Sequence, residues 1–207
     1  MDDAQAPEKR DGFRERGQQV TRVEAFVDAA FAFAVTLLVI SFDGLPKSAD
    51  ELVAAYKGIP AFAASFLLLA MFWRAHERWS RWYGLDDNRS TALSLILVFL
   101  VLVYVYPLRM LFAGFFHFVT QGALPADYVI RTASDLRWMF GSYAVAYGSL
   151  SFVIWLLYRH AYRQKAKLGL DVEEAVLTRL TMLRWQVTLL VSLVSLALSF
   201  LIGPVLN

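Results

Sequence analysis

The feature that most constrains this chain is the gathering of its apolar residues into five stretches, 23–42, 58–74, 92–118, 138–158 and 185–206. A helix needs about 20 predominantly apolar residues to cross the hydrocarbon core of a bilayer, and irregular backbone cannot face lipid. The stretches therefore read as membrane-spanning helices. The second is short, the first is interrupted by Glu24 and Asp28, and the third contains Pro107 and Arg109, which places a bend near its outer end. Composition points the same way, with 58% hydrophobic and only 18% charged residues, where soluble domains carry about 25% charged. A soluble bundle would also need polar faces, which the third and fifth stretches lack. The fold class is all-α: a polytopic integral membrane helical bundle with five clear spans.

Basic residues orient the bundle. Lys9, Arg10, Arg14, Arg16 and Arg22 precede the first span. Arg74, Arg78, Arg81 and Arg89 lie between the second and third. Arg159, Arg163, Lys165, Lys167, Arg179 and Arg184 lie between the fourth and fifth. The alternate loops hold only Lys47 and Lys57, then Arg131 and Arg137. By the positive-inside rule the N-terminus is cytoplasmic and the chain is a multi-pass protein of the cell (plasma) membrane. Residues 1–19 are charged and lack the apolar core of a signal peptide, so they read as a solvated cytoplasmic tail ahead of a single membrane domain, 20–207. The 159–184 connection, with Asp171, Glu173 and Glu174 after Gly169, reads as a cytoplasmic loop with a helical extension into the fifth span.

Several function classes fall away. A formal charge of +2 is too small to indicate a nucleic-acid partner. Without cysteine there are no disulfides, thiolate metal sites or cysteine nucleophiles. The three histidines, His76, His117 and His160, sit on three different segments, so no three-histidine metal site is expected. No cofactor is expected.

The first span carries the chemistry. At about 100° per residue, Arg22, Phe26, Phe33, Leu37 and Ile40 fall in one line along a face of helix 20–42, with Thr36 at its margin. Glu24 and Asp28 fall on the opposite face. An ionisable side chain inside a membrane helix costs about 2.5–3.5 kcal/mol on insertion scales and needs a partner. Antiparallel packing of the first two helices brings Asp28 to the depth of Trp73 and His76, which predicts a polar bracket between them. Ala25, Ala29, Ala30, Ala32 and Ala34 flank the apolar line and permit close helix approach.

These residues resemble a known family. Arg22-xxx-Phe26-Val27-Asp28 is similar to the Arg-xxx-Phe-Ser-Asp signature of the endosomal and lysosomal potassium channels of the transmembrane protein 175 type, in particular their single-repeat bacterial members. The continuation Phe-Ala-Phe-Ala-Val-Thr-Leu-Leu-Val-Ile matches the same helix, as do Phe72-Trp73 with His76, Asn88 and Pro107 further on. The resemblance covers residues 20–110. It implies a homotetrameric, potassium-selective, leak-type cation channel in the lipid bilayer, in which the first helix of each subunit lines the pore. Carried over, Phe33, Leu37 and Ile40 form the constriction and Thr36 a hydroxyl layer where potassium would pause, while Arg22, Phe26, Asp28, Trp73, His76 and Asn88 form the polar network that holds the helix. Two residues depart from the pattern: Val27 replaces the signature serine, and Phe33 stands where isoleucine is usual. The family's usual count is six spans, where five are found here.

Selection by such a ring would rest on dehydration. Potassium holds its water less tightly than sodium, so stripping part of the shell penalises sodium more, and threonine hydroxyls can replace some lost oxygens. No carboxylate ring lines the stripe, which argues against multivalent cations. The alternative reading is an ion- or proton-coupled secondary transporter using Asp28 and His76, whose class favours repeats and helices broken at mid-membrane. A membrane enzyme and a non-conducting scaffold are further alternatives. A channel needs several copies around an axis in closed symmetry.

Overall fold

A computed structural model describes residues 9–10, 12–40, 46–126 and 132–205. Among the described residues there are six helices and one short hairpin, β1 (Lys9–Arg10) with β2 (Phe13–Arg14). The helices are α1 (Arg22–Ile40), α2 (Ala49–Lys57), α3 (Ile59–Tyr83), α4 (Asn88–Val119), α5 (Ala133–Arg163) and α6 (Val172–Val205). The chain is a multi-pass membrane protein: among the described residues four helices, α3 to α6, are each long and apolar enough to cross a bilayer, and α1, at 19 residues, is the helix expected as the first span. The sixth helix is α2. With nine residues it reaches about 14 Å, too short to span, and none of its residues is buried.

Local chemistry sets the ends. Thr21 and Glu24 form a capping box at α1: the Glu24 N–H donates to the Thr21 hydroxyl at 3.1 Å, and the Thr21 N–H to the Glu24 carboxylate at 3.4 Å. Glu24, expected behind the apolar stripe as a membrane acid needing a partner, is thus a capping acid at the helix entrance. Pro60 occupies the first turn of α3, where a missing N–H costs nothing. That helix ends at Gly84, whose φ of 55° is left-handed. A Cβ there would also stand 2.9 Å from the backbone of Arg16 and Gly17. Apolar runs stop at the first arginines, but the helices do not: α3 continues through Arg74, Arg78 and Arg81, and α6 starts more than three turns before its apolar run. The expected extension of the fifth span is present, and α4 passes through Pro107 without interruption.

Packing joins α1 to α3 and α4, α5 to α3 and α4, and α6 to α5. The core runs through Val27, Phe31, Ala34 and Leu38 of α1, Leu69 and Phe72 of α3, Leu97, Val101 and Val105 of α4, and Ile154 and Leu157 of α5.

The N-terminal segment differs from its expected solvated state. Phe13 is completely buried. It stacks on Trp82 with ring centroids 4.2 Å apart and meets Tyr83 edge-on. The N–H groups of Arg16 and Gly17 donate to the Arg81 carbonyl at 3.0 and 2.9 Å. The Arg16 and Arg14 guanidinium groups both grip Glu174, with closest contacts of 2.7 and 3.1 Å. Glu174 also caps α6 reciprocally with Asp171. One apolar ring in a charged stretch, with two arginines behind it, docks residues 12–17 onto the C-terminal end of α3 and the N-terminal end of α6. These residues therefore belong to the same body as the helices.

A second joint ties α4 to α5. Asp87 caps α4 through the Arg89 and Ser90 N–H groups and accepts from His160 and Gln164 at 2.7 and 2.9 Å. Burial opposes ionisation of Asp87, but the Ser90 N–H, His160 and Gln164 outweigh it and hold the carboxyl well below the usual carboxylate range.

Two outcomes follow. Phe13→Ala should lower stability by about 3 kcal/mol and open Arg14 and Arg16 to limited trypsin cleavage, read by melting in detergent and by mass of the fragments. Because its pKa is depressed, Asp87 stabilises the fold above its unfolded pKa of about 4 and loses that role as pH falls through the folded value. The melting difference between wild type and Asp87→Ala should therefore hold steady from about pH 7 to 5 and close below about pH 4.

Candidate functional site

The geometry of α1 follows from its amphipathic division. Val27, Phe31, Ala34 and Leu38 recur at helical spacing and face the subunit's own core, all buried. On the opposite side Ala25, Ala29, Ala32, Phe33 and Thr36 are exposed, Phe33 by 56%. Arg22 and Phe26 are exposed as well, toward the cytoplasmic end. Thr36, expected at the margin of the apolar line, stands near the middle of this outward face. Leu37 sits at its edge, partly buried against the core. Ile40 closes α1, but its side chain, like residues 41–45, lies outside the described residues. The Thr36 hydroxyl donates to the Ala32 carbonyl at 3.0 Å, so its proton is used within the helix and its oxygen lone pairs remain as acceptors.

The polar bracket has two halves. Trp73 Nε1 donates to Asp28 Oδ1 at 2.8 Å, clipping α1 to α3. His76 is buried and pairs through Nε2 with the Ser94 hydroxyl of α4 at 2.9 Å. Asp28 and His76 are therefore held by different partners. A cleft where the start of α1 meets α3 and α4 is lined by Thr21, Glu24, His76, Ser90 and Ser94. Asn88, expected in the network, is exposed at the first position of α4. Ser94, on the buried face of α4, is the residue of that helix that bonds to His76.

The profile described as endosomal/lysosomal potassium channel TMEM175 matches residues 22–107, which hold α1, the bracket and most of α4. A protein of Marivirga tractuosa described as a potassium channel is 34% identical over 170 residues, covering 78% of this chain and 67% of its own. The chain belongs to the TMEM175 family. A Streptomyces collinus protein, also described as a potassium channel, is 30% identical over 95 residues, 44% of this chain and 46% of that one. The fold agrees with a crystal structure of the potassium channel MtTMEM175, a threonine-to-alanine variant bound to a nanobody–MBP fusion, at a TM-score of 0.83 and 29% identity. That match covers 95% of this chain and 86% of the other. Val27, which stands where the resemblance expects a serine, faces the core and is completely buried, where an apolar side chain packs without needing a partner.

Trp73→Phe keeps the ring and deletes the donor to Asp28. It should cost about 1 kcal/mol, allowing for the exposure of the pair, while Asp28→Asn, which still presents an acceptor to the indole, should cost less than half of that. A double-mutant cycle on melting in detergent checks the coupling.

Proposed function

We propose that this protein is a potassium-selective, leak-type channel of the cell membrane, assembled as a homotetramer with α1 of each subunit around a shared aqueous path. The observation that carries this reading is the two-faced α1. Its buried row anchors it to its own subunit, while an unbroken row of small residues, Phe33 and Thr36 is left without a partner in that subunit. Four such faces around an axis would give a path with alanines toward the cytoplasm and a narrowing at Phe33, with Leu37 at its edge and Ile40 about two turns beyond Phe33. The family membership and the names of the relatives support channel function over catalysis.

The narrowing would select by partial dehydration. An apolar ring offers no replacement for lost water, so the ion with the weaker hydration shell, potassium, crosses at lower cost. The Thr36 oxygens, their protons engaged by Ala32, would present four acceptors to the ion just beside the ring. Selectivity of this kind should be moderate, since it lacks a full carbonyl cage. Conduction would be passive, with permeant potassium pausing near Thr36 and no cofactor or other small-molecule substrate involved. The transporter alternative depends on Asp28 and His76 acting as a relay. Their separate engagement by Trp73 and Ser94 favours a structural role.

Purified protein in liposomes with a potassium gradient should release potassium faster than sodium, with no proton or sodium gradient required. Phe33→Ala should raise flux several-fold, and Thr36→Val, which keeps the shape and deletes the hydroxyl, should lower the potassium preference several-fold. A strict requirement for a coupling ion, or flux indifferent to both substitutions, would contradict the proposal.

A further inference from the structure

Several cations on the cytoplasmic side are paired with acids and others with aromatic rings. Lys9, Arg14 and Arg16 engage Asp171, Glu173 and Glu174, while Arg74 and Arg81 engage Glu77. At the end of α5 and in the second turn of α6 the cations meet aromatic rings instead. Arg159 lies over Trp155 at 5.0 Å from the ring centroid. Lys165 and Arg179 stand 5.2 and 5.1 Å from the centroid of Tyr162, whose hydroxyl also accepts from Arg179 Nε. Of the nearby acids, Asp171, Glu173 and Glu174 are engaged by the N-terminal segment and Asp87 by His160 and Gln164, so among the described residues Lys165 and Arg179 meet the Tyr162 ring rather than a carboxylate.

Its depth and surroundings are those of a lipid headgroup. The apolar run of α6 begins after Arg184, and Arg179 stands about 7.5 Å further toward the cytoplasm, which is phosphate depth for a helix whose apolar part fills the hydrocarbon core. Beside Arg179, Val176, Leu180, Leu183 and Val187 form an exposed row on one face of α6 that runs toward the membrane interior. Tyr162 and Trp155 sit where interfacial aromatics are favoured, with one apolar and one polar edge.

We propose that this surface binds an anionic phospholipid of the cytoplasmic leaflet, its phosphate held by Lys165 and Arg179 beside Tyr162 and its acyl chains lying along Leu180, Leu183 and Val187. The charge complementarity is one-sided. A zwitterionic headgroup brings its own cation to Lys165 and Arg179, which have no acid partner among the described residues, whereas an anionic one meets cations that the Tyr162 ring already holds in place. The N-terminal segment contributes indirectly, because its docking removes Asp171, Glu173 and Glu174 from competition.

The test is lipid retention by the intact assembly, measured by native mass spectrometry after equilibration in mixed micelles of phosphatidylglycerol and phosphatidylcholine. Wild type should retain phosphatidylglycerol preferentially. Lys165→Gln with Arg179→Gln should reduce that preference about tenfold, and Lys165→Gln alone, an exposed change that leaves the Tyr162–Arg179 contact in place, about threefold. Arg74→Gln with Arg81→Gln, whose cations already have an acid, should leave it unchanged. An undiminished preference in both Lys165 variants would overturn the proposal. So would a crosslink from Leu183→Cys to a neighbouring subunit, which would make this row a protein interface.

Discussion

A helix of 19 residues has two long faces, and α1 gives one of them to its own subunit. Val27, Phe31, Ala34 and Leu38 fix it against α3 and α4, and the Asp28–Trp73 hydrogen bond sets its rotation from the side. Within a bilayer the remaining face gains nothing from merely avoiding water, since lipid is as apolar as leucine. A face built from alanines, one large ring and a threonine whose proton is internally bonded is poorly shaped for lipid contact and well shaped for close approach of identical helices. Everything assigned to the pore descends from this division of one helix.

The division would be loose if α1 could rotate or slide, and the cytoplasmic end prevents that. The segment just before α1 is pinned by Phe13 in the Trp82–Tyr83 aromatic box, by the Arg81 carbonyl and by Glu174 at the head of α6. The entry to α1 is thus tied to the ends of the helices behind it before the first membrane turn begins. Glu174 is completely buried yet fully engaged, by two arginines and by its own capping box, which is the condition under which a buried carboxylate is tolerated.

Much of this was legible in the sequence, and the gaps have physical causes. The spans that became α3 to α6 were readable because bilayer thickness demands long apolar runs, and Asp28 with Trp73 because an acid in a membrane helix demands a partner. The spans' cytoplasmic ends were read too short because hydropathy registers the first arginine, whereas helices continue as long as their backbone bonds do, as α3 does to Tyr83. The N-terminal segment was read as solvated because average composition hides one well-placed aromatic: Phe13 contributes little to a mean and everything to the docking. Helical angles placed Thr36 at the edge of the apolar line because that line was drawn through the largest residues, while packing against α3 and α4 places the outward face nearer the alanine row. Ser94 was missed as the partner of His76 because no local pattern links residues on two helices.

The central claim is that the outward face of α1 meets water in an oligomer. The chain has no cysteine, so single substitutions can be read without background. Ala29→Cys, Phe33→Cys and Thr36→Cys should each react with a charged, membrane-impermeant thiol reagent and lose potassium flux on modification, while Ala34→Cys and Leu38→Cys on the buried face should do neither. Labelling of the buried face, or an unmodified outward face with flux intact, would contradict the account.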